Sequence, residues 1–270
     1  MERCAALRIS ATLLLGYSGR VDDLALALEL ADLADGISMR RFRAKDLVVE
    51  RKPDLTPVTE VDTAIERDLR RRIAEERPDD AVVGEEMADT GAGSRQWVID
   101  PIDGTKSYAR GNETWATLIA LEVDGAVQVA VASVPALGQR YEATRGGGAR
   151  LNGERIEVSA VDDLAAAMLA HTSLSGFVWL GMDDRLSHLA ARCWDSRGLG
   201  NSMSHLAVAR GSADLGWTSR ACRWDFAALS LIVEEAGGRF TDRTRDGATI
   251  APGMSSNGLL HDHLLAAADD

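Results

Sequence analysis

The chain has 270 residues, 46% of them hydrophobic, which is ample for one large packed domain or two modest ones. Thirty basic against forty-two acidic residues give a formal net charge of −12 with no long Lys/Arg run, so no nucleic-acid or membrane partner is expected. Three widely spaced cysteines, Cys4, Cys193 and Cys222, argue against a disulfide framework or a zinc site and fit a reducing cytoplasm.

Residues 1–20 read as a disordered extension. Arg3 and Arg8 precede an apolar stretch, Ile9 to Leu15, that imitates a signal peptide but is too short to span a bilayer. Residues 21–42 then carry a helical period through Leu24, Leu28, Ala31 and Leu33, and Val61, Ile65, Leu69 and Ile73 repeat it. Two packed helices are therefore expected to open the fold. Between them Lys52 to Thr59 holds two prolines in an extended context, and Thr59 or Asp62 can cap the second helix.

From Ala81 the pattern turns to short apolar or alternating runs, at 81–83, 96–99, 115–123, 127–134 and 139–143, which predict strands. Asp124-Gly125 is a hairpin signal, while Gly146 to Gly148 and Asn152-Gly153 mark turns that close an N-terminal half over residues 21–157. The C-terminal half, 158–270, alternates strand and helix: strands at 165–171, 215–218 and 239–241, and helices at 185–193, 202–209 and 224–236. This suits an α/β layer packed on the first half. His171, His188 and His205 lie in ordinary segments, Trp217 and Trp224 read as core or pocket wall, and His261-Asp262-His263 reads as a solvated tail.

The segment Trp97 to Thr105 stands apart, because Asp100-Pro101-Ile102-Asp103-Gly104-Thr105 puts two carboxylates, a rigid turn and a helix start together. The apolar pair Val98-Ile99 predicts a buried strand ending at Asp100, since Pro101 cannot donate to a ladder. Beyond the turn Asp103 can return beside Asp100, the Ile102 carbonyl can be left free, and Gly104 lets backbone N–H groups approach an anion. Oxygen ligands of this kind suit Mg²⁺ and phosphate together. Asp-Pro and Asp-Gly are equally ordinary turn dipeptides. Three further acids stand where such a centre would need them: Glu85 after a strand, Asp225 opening a helix, and Asp62 one turn after Thr59. Taken singly they read just as well as a solvated loop acid, an N-cap and a first-turn helix acid.

In order, Gly84-Glu85-Glu86, Asp100 to Thr105 and Trp224 to Ala228, preceded by Pro57 to Asp62 and followed by Glu235 to Gly238, resemble the signatures of the inositol monophosphatase superfamily. The resemblance covers residues from about 21 to 265. It implies an α+β fold, a layered αβαβα sandwich of the inositol monophosphatase and fructose-bisphosphatase type. It also implies a metal-dependent phosphoric monoester hydrolase, with metal ligands at Glu85, Asp100, the Ile102 carbonyl, Asp103 and Asp225 for two or three Mg²⁺. By the same resemblance Thr105, hydrogen-bonded to Asp62, orients the attacking water, Gly104 and Thr105 N–H groups hold the phosphate, and a cytoplasmic homodimer acts on a small phosphate ester.

Within the superfamily, Lys52 to Thr59, Asp100 to Lys106, and Arg110-Gly111 followed by Trp115 to Leu121 look most like the bacterial histidinol-phosphate phosphatases. Histidinol phosphate is therefore the expected substrate. Inositol or sugar monophosphates and 3′-phosphoadenosine nucleotides are the alternatives, and a non-catalytic relative that contacts the transcription machinery is the alternative of another class. One departure concerns specificity: Thr218 stands seven residues before Asp225, where relatives commonly carry a glutamate that contacts substrate. Arg220 and Arg223 complete the expected substrate pocket and could welcome a second anionic group, though both read equally well as surface residues.

Overall fold

The computed structural model describes residues 22–53, 56–243 and 250–269; the extension expected at 1–20, with Cys4, lies outside the described residues, as do Asp54 and Leu55 of the Lys52–Thr59 segment. Helix α1 (Asp23–Arg41) leads through the short antiparallel pair β1 (Val49–Arg51) and β2 (Pro57–Thr59) into α2 (Glu60–Glu76). Thr59 is the N-cap of α2, and the Asp62 carboxylate accepts the Thr59 N–H in return, so both residues named as cap candidates take part in one capping box.

A seven-stranded sheet follows, built of β3 (Ala81–Gly84), β4 (Arg95–Asp103), β5 (Ala116–Val123), β6 (Ala126–Val134), β7 (Gln139–Thr144), β8 (Gly148–Leu151) and β9 (Glu154–Ile156) in sequential order. Only β3 and β4 run parallel; the rest form antiparallel neighbours. The Asp124-Gly125 and Asn152-Gly153 turns join β5 to β6 and β8 to β9, with positive φ at all four residues, as two-residue hairpin turns require. A five-residue helix, α3 (Thr105–Ala109), stands between β4 and β5.

The second sheet has the order β11-β10-β12-β14-β13, from β10 (Met168–His171), β11 (Asp195–Gly198), β12 (Leu215–Ala221), β13 (Arg239–Asp242) and β14 (Ala251–Ser256). Its helices are α4 (Leu174–Trp179), α5 (Asp183–Ala190), α6 (Asn201–Ala209), α7 (Arg223–Glu235) and α8 (His261–Asp269).

Strand alternation sorts the apolar side chains into layers. On β4 and β5, Trp97, Ile99, Ile119 and Leu121 pack with Leu26 and Leu30 of α1 and Ile65 and Leu69 of α2. Their neighbours Val98, Leu118 and Ala120 turn to the other face and meet Leu206 of α6 and Leu229 and Val233 of α7. On the second sheet Ala170 joins that middle layer, whereas Leu169, Leu215 and Trp217 pack on Phe177, Leu186 and Leu264 of α4, α5 and α8. The result is the five-layer αβαβα sandwich. Among the described residues no helix is long and apolar enough to cross a membrane.

Two expectations need correction. Strand β4 does not stop at Asp100: it runs through Pro101 to Asp103, because the register shifts there and two residues oppose one on β5. The missing proline donor falls at this irregularity, where the Thr117 hydroxyl donates to the Pro101 carbonyl at 2.8 Å. The stretch around His261 is not a solvated tail either: it opens α8, and His261 is 1% exposed, bonded to Ser256 at 2.9 Å and Thr241 at 2.8 Å.

Candidate metal centre and substrate cleft

Strand parity explains how the central acids meet. Asp100 shares the face of Val98, which looks into the layer occupied by α7, and Asp225 lies in the first turn of that helix. The bulge then resets the parity so that Asp103, three residues on, reaches the same spot. Carboxylate oxygens of Asp100, Asp103 and Asp225 lie within 4.8 Å of one another. Asp100 is 0% exposed, and neither of its carboxylate oxygens has a hydrogen-bond partner among the described residues. Asp103 accepts the Ser202 N–H from the start of α6 at 2.7 Å, and Asp225 accepts the Cys222 N–H that it caps.

Burial raises the carboxyl groups of Asp100 and Asp225 well above the usual carboxylate range; Glu85 and Asp103 add to it at Asp100, and Asp103 at Asp225. A buried carboxylate with neither oxygen partnered, set against two others, is unfavourable by several kcal/mol unless a proton or a cation sits among them. An all-oxygen donor set of this kind fits a hard divalent cation such as Mg²⁺.

Glu85 stands beside this trio rather than in it. Its Oε1 accepts from Lys52 Nζ at 2.7 Å, and the same ammonium reaches Glu86 at 2.8 Å. Burial raises Glu86 to about 7 against the pull of Lys52. Burial opposes the charge on Lys52, but the hydrogen bonds it donates to both glutamates outweigh that and raise it above the ordinary lysine value.

Asp62 and Thr105 meet as expected. The Thr105 hydroxyl lies 3.2 Å from Asp62 Oδ1 and 3.1 Å from the Ile102 carbonyl, while Asp62 Oδ2 accepts the Thr59 N–H at 2.9 Å and the Thr59 hydroxyl at 2.5 Å. Burial raises the Asp62 carboxyl above its ordinary value; the Thr59 hydrogen bonds oppose that shift, and Glu85 reinforces it. The Ile102 side chain is fully buried in the α1/α2 layer, which leaves its backbone carbonyl beside Thr105. Gly104 has φ +89°, and a Cβ there would stand 3.1 Å from the Thr114 carbonyl, so this turn needs glycine.

A cleft opens next to the acids, with Asp103, Asp225, His205, Thr218 and Arg220 among its walls. Thr218 is buried, and its hydroxyl lies 2.8 Å from Nε2 of His205, whose Nδ1 is 2.8 Å from the Ser255 hydroxyl. Complete burial holds His205 down at about 3, so it is a neutral hydrogen-bonding wall. Arg220 lines the same cleft with its guanidinium 4.7 Å from the Trp179 ring centre. Arg223 does not: it points to the seven-stranded sheet, paired with Glu122 and bonded to Gln96 at 3.1 Å. Its place in the expected pocket is corrected on that ground, since one guanidinium cannot serve both sides of α7. No site role is assigned from sequence to Lys52, although it opens the Lys52 to Thr59 segment, nor to His205, which sits in an apolar helix without any signal.

Comparison with known proteins finds relatives over nearly the whole chain. A profile described as "Inositol monophosphatase family" matches residues 22–269. The chain is similar to the histidinol-phosphatase of Mycobacterium tuberculosis, 45% identical over 90% of this chain and 96% of that protein. It is 46% identical to the histidinol-phosphatase of Streptomyces coelicolor, over 91% and 96% of the two chains. Among solved structures, the IMPase of Thermotoga maritima superimposes with a TM-score of 0.82 at 31% identity, over 92% of this chain and 97% of that one.

Proposed function

Since the chain belongs to the inositol monophosphatase family and is a phosphoric monoester hydrolase, we propose that it hydrolyses histidinol phosphate to histidinol and phosphate with Mg²⁺ held by Asp100, Asp103, Asp225, Glu85 and the Ile102 carbonyl. The observation that carries the metal reading is the buried Asp100 carboxylate, without a hydrogen-bond partner among the described residues and facing two more acids. The similarity to two histidinol-phosphatases over nearly their whole length supports the substrate.

When bound, the divalent cations supply positive charge to the phosphate oxygens and acidify water in the site. The chain's own residues do the rest. Asp62, fixed by its two bonds from Thr59, accepts the Thr105 hydroxyl proton, which turns a Thr105 lone pair toward the attacking water. Raised above the ordinary carboxylate value, Asp62 is a better proton acceptor through Thr105 than a solvated aspartate. The amides of Gly104 and Thr105 are the donors assigned to the phosphate oxygens, which the glycine lets approach closely. Thr218, held by His205, and Arg220 line the space assigned to the alcohol part of the substrate. A neutral hydroxyl at 218 gives a weaker grip on a cationic amine than a carboxylate would.

We propose further that the protein acts in the cytoplasm as a homodimer; the free thiols of Cys193 and Cys222 among the described residues and the habit of its family support this. The intact acidic cluster supports catalysis over a purely transcription-binding role. A phosphate-release panel tests the assignment. Histidinol phosphate is expected to exceed inositol 1-phosphate and 3′-phosphoadenosine 5′-phosphate in kcat/KM, with all release abolished by EDTA. Preference for either of the other esters would reassign the substrate; release insensitive to EDTA would remove the metal.

A further inference from the structure

The turn that carries Glu85 is gripped from beneath by a residue that belongs to no motif. Glu66 of α2 is 0% exposed, and its carboxylate accepts the backbone N–H of Glu86 at 2.7 Å and of Met87 at 3.1 Å. Arg70, one helical turn further on, closes the arrangement. Its Nε donates to Glu66 at 2.8 Å, and its guanidinium reaches the carbonyls of Val82 and Met87 and the Thr90 hydroxyl at 3.2–3.3 Å.

The fit is tight enough to dictate sequence. A Cβ on Gly84 would fall within 2.3–2.8 Å of the Glu66 carboxyl atoms, so the glycine preceding Glu85 makes room for this carboxylate. Asp62, which holds Thr105, lies four residues before Glu66 on the same helix, and residues at that spacing share one face. One face of α2 thus anchors Thr105 at one end and the Glu85 turn at the other.

We infer that Glu66 is a positioning residue for the metal centre, setting the direction of Glu85 by holding the two backbone amides that follow it. The inference rests on the reading of Glu85 as a metal ligand. Buried partners that orient a ligand are worth about 10–100-fold in metal affinity. Both oxygens of this carboxylate accept, from two amides and an arginine, so glutamine would lose one acceptor and turn its NH₂ end toward an N–H donor.

The test measures Mn²⁺ binding by electron paramagnetic resonance in the absence of substrate, together with the Mg²⁺ dependence of phosphate release, for wild type, Glu66→Gln, Gly84→Ala and Glu85→Gln. Glu66→Gln is expected to weaken Mn²⁺ binding roughly tenfold or more and to raise the half-saturating Mg²⁺ in step, with turnover at saturating Mg²⁺ largely kept. A lowered melting temperature with unchanged Mn²⁺ affinity would make Glu66 a structural residue only and overturn the inference. Should Glu66→Gln not accumulate in folded form, Gly84→Ala displaces the same turn with Glu66 intact. The same weakening is then expected, and unchanged affinity would overturn the inference. Glu85→Gln separates the two levels. Wild-type Mn²⁺ affinity in that variant would remove Glu85 as a ligand and the inference with it. Weakened binding in Glu85→Gln but not in Glu66→Gln would overturn the positioning role alone.

Discussion

Thr105 and Asp62, 43 residues apart in sequence, meet in a buried hydrogen bond of 3.2 Å that ties the start of α3 to the first turn of α2. The Thr105 hydroxyl can pass its proton toward Asp62, while the Asp62 carboxylate is already loaded by Thr59 and cannot swing away. Thr105→Val should therefore lower kcat by about 10²–10⁴-fold, the usual worth of a positioned proton acceptor, with KM little changed. Thr105→Ser should recover most of the loss. Steady-state kinetics at saturating Mg²⁺ check both, and a valine variant with normal kcat would show that the hydroxyl takes no part.

Asp100→Asn should separate activity from stability. The variant loses a charge at the centre of the acidic trio, so Mg²⁺-dependent turnover should vanish. The metal-free protein should nevertheless melt a few degrees higher than metal-free wild type, because a buried and unpaired charge has gone. The pH dependence has a definite sign. The Asp100 and Asp225 carboxyls are raised in the folded state, so without metal their contribution is present at low pH and is lost as pH rises through those raised values. Calorimetry of both proteins in EDTA at acid and neutral pH reads it out.

Mg²⁺ itself should stabilise wild type through mass action, by about 2.7 kcal/mol when its concentration is a hundred times the dissociation constant. In Asp100→Asn that gain should shrink to nearly nothing. A wild-type melting temperature indifferent to Mg²⁺ would deny that the folded state binds the ion.

Two histidines set the opposite slope once Mg²⁺ is saturating. Burial lowers His205 to about 3 and His261 to about 4, below the ordinary histidine value near 6.5. Both are neutral when folded and protonated when unfolded in mild acid. Their contribution is intact above pH 6.5 and falls as pH drops toward 4, by about 1.4 kcal/mol per pH unit for each histidine. Chemical denaturation between pH 7 and 4.5 should show that slope, and His261→Gln should remove one proton from it.

Thr218→Val tests the cleft. Removing a hydroxyl from its contact with His205, without touching the acids, should raise KM for histidinol phosphate several-fold, about the 1 kcal/mol of one neutral hydrogen bond, and leave kcat nearly unchanged. A fall in kcat with constant KM would place Thr218 nearer the reacting phosphate than the cleft wall.

Much of this is legible in the amino-acid sequence. The apolar runs at Trp97 to Ile99 and Ala116 to Leu121 already mark buried strands, and the order of the acidic motifs points to the centre. Three features escaped for distinct reasons. The continuation of β4 through Pro101 depends on a register shift against β5, which one strand's sequence cannot reveal. Helix α8 is short and polar at its start, and His261 is buried only because Ser256 and Thr241, from two other strands, supply its partners. Glu66 and Arg70 look like one more i,i+4 surface pair on a charged helix; their burial comes from the turn at Gly84 closing over them.

The proposed hydrolysis requires a divalent cation among Asp100, Asp103 and Asp225. Anomalous diffraction from Mn²⁺-soaked crystals of wild type and Asp100→Asn measures this directly. The expected wild-type result is a peak in bonding distance, about 2.1 Å, of an Asp100 oxygen, lost or weakened in the variant. A wild-type map with no peak between these carboxylates, in crystals of protein that still hydrolyses its ester, would contradict it.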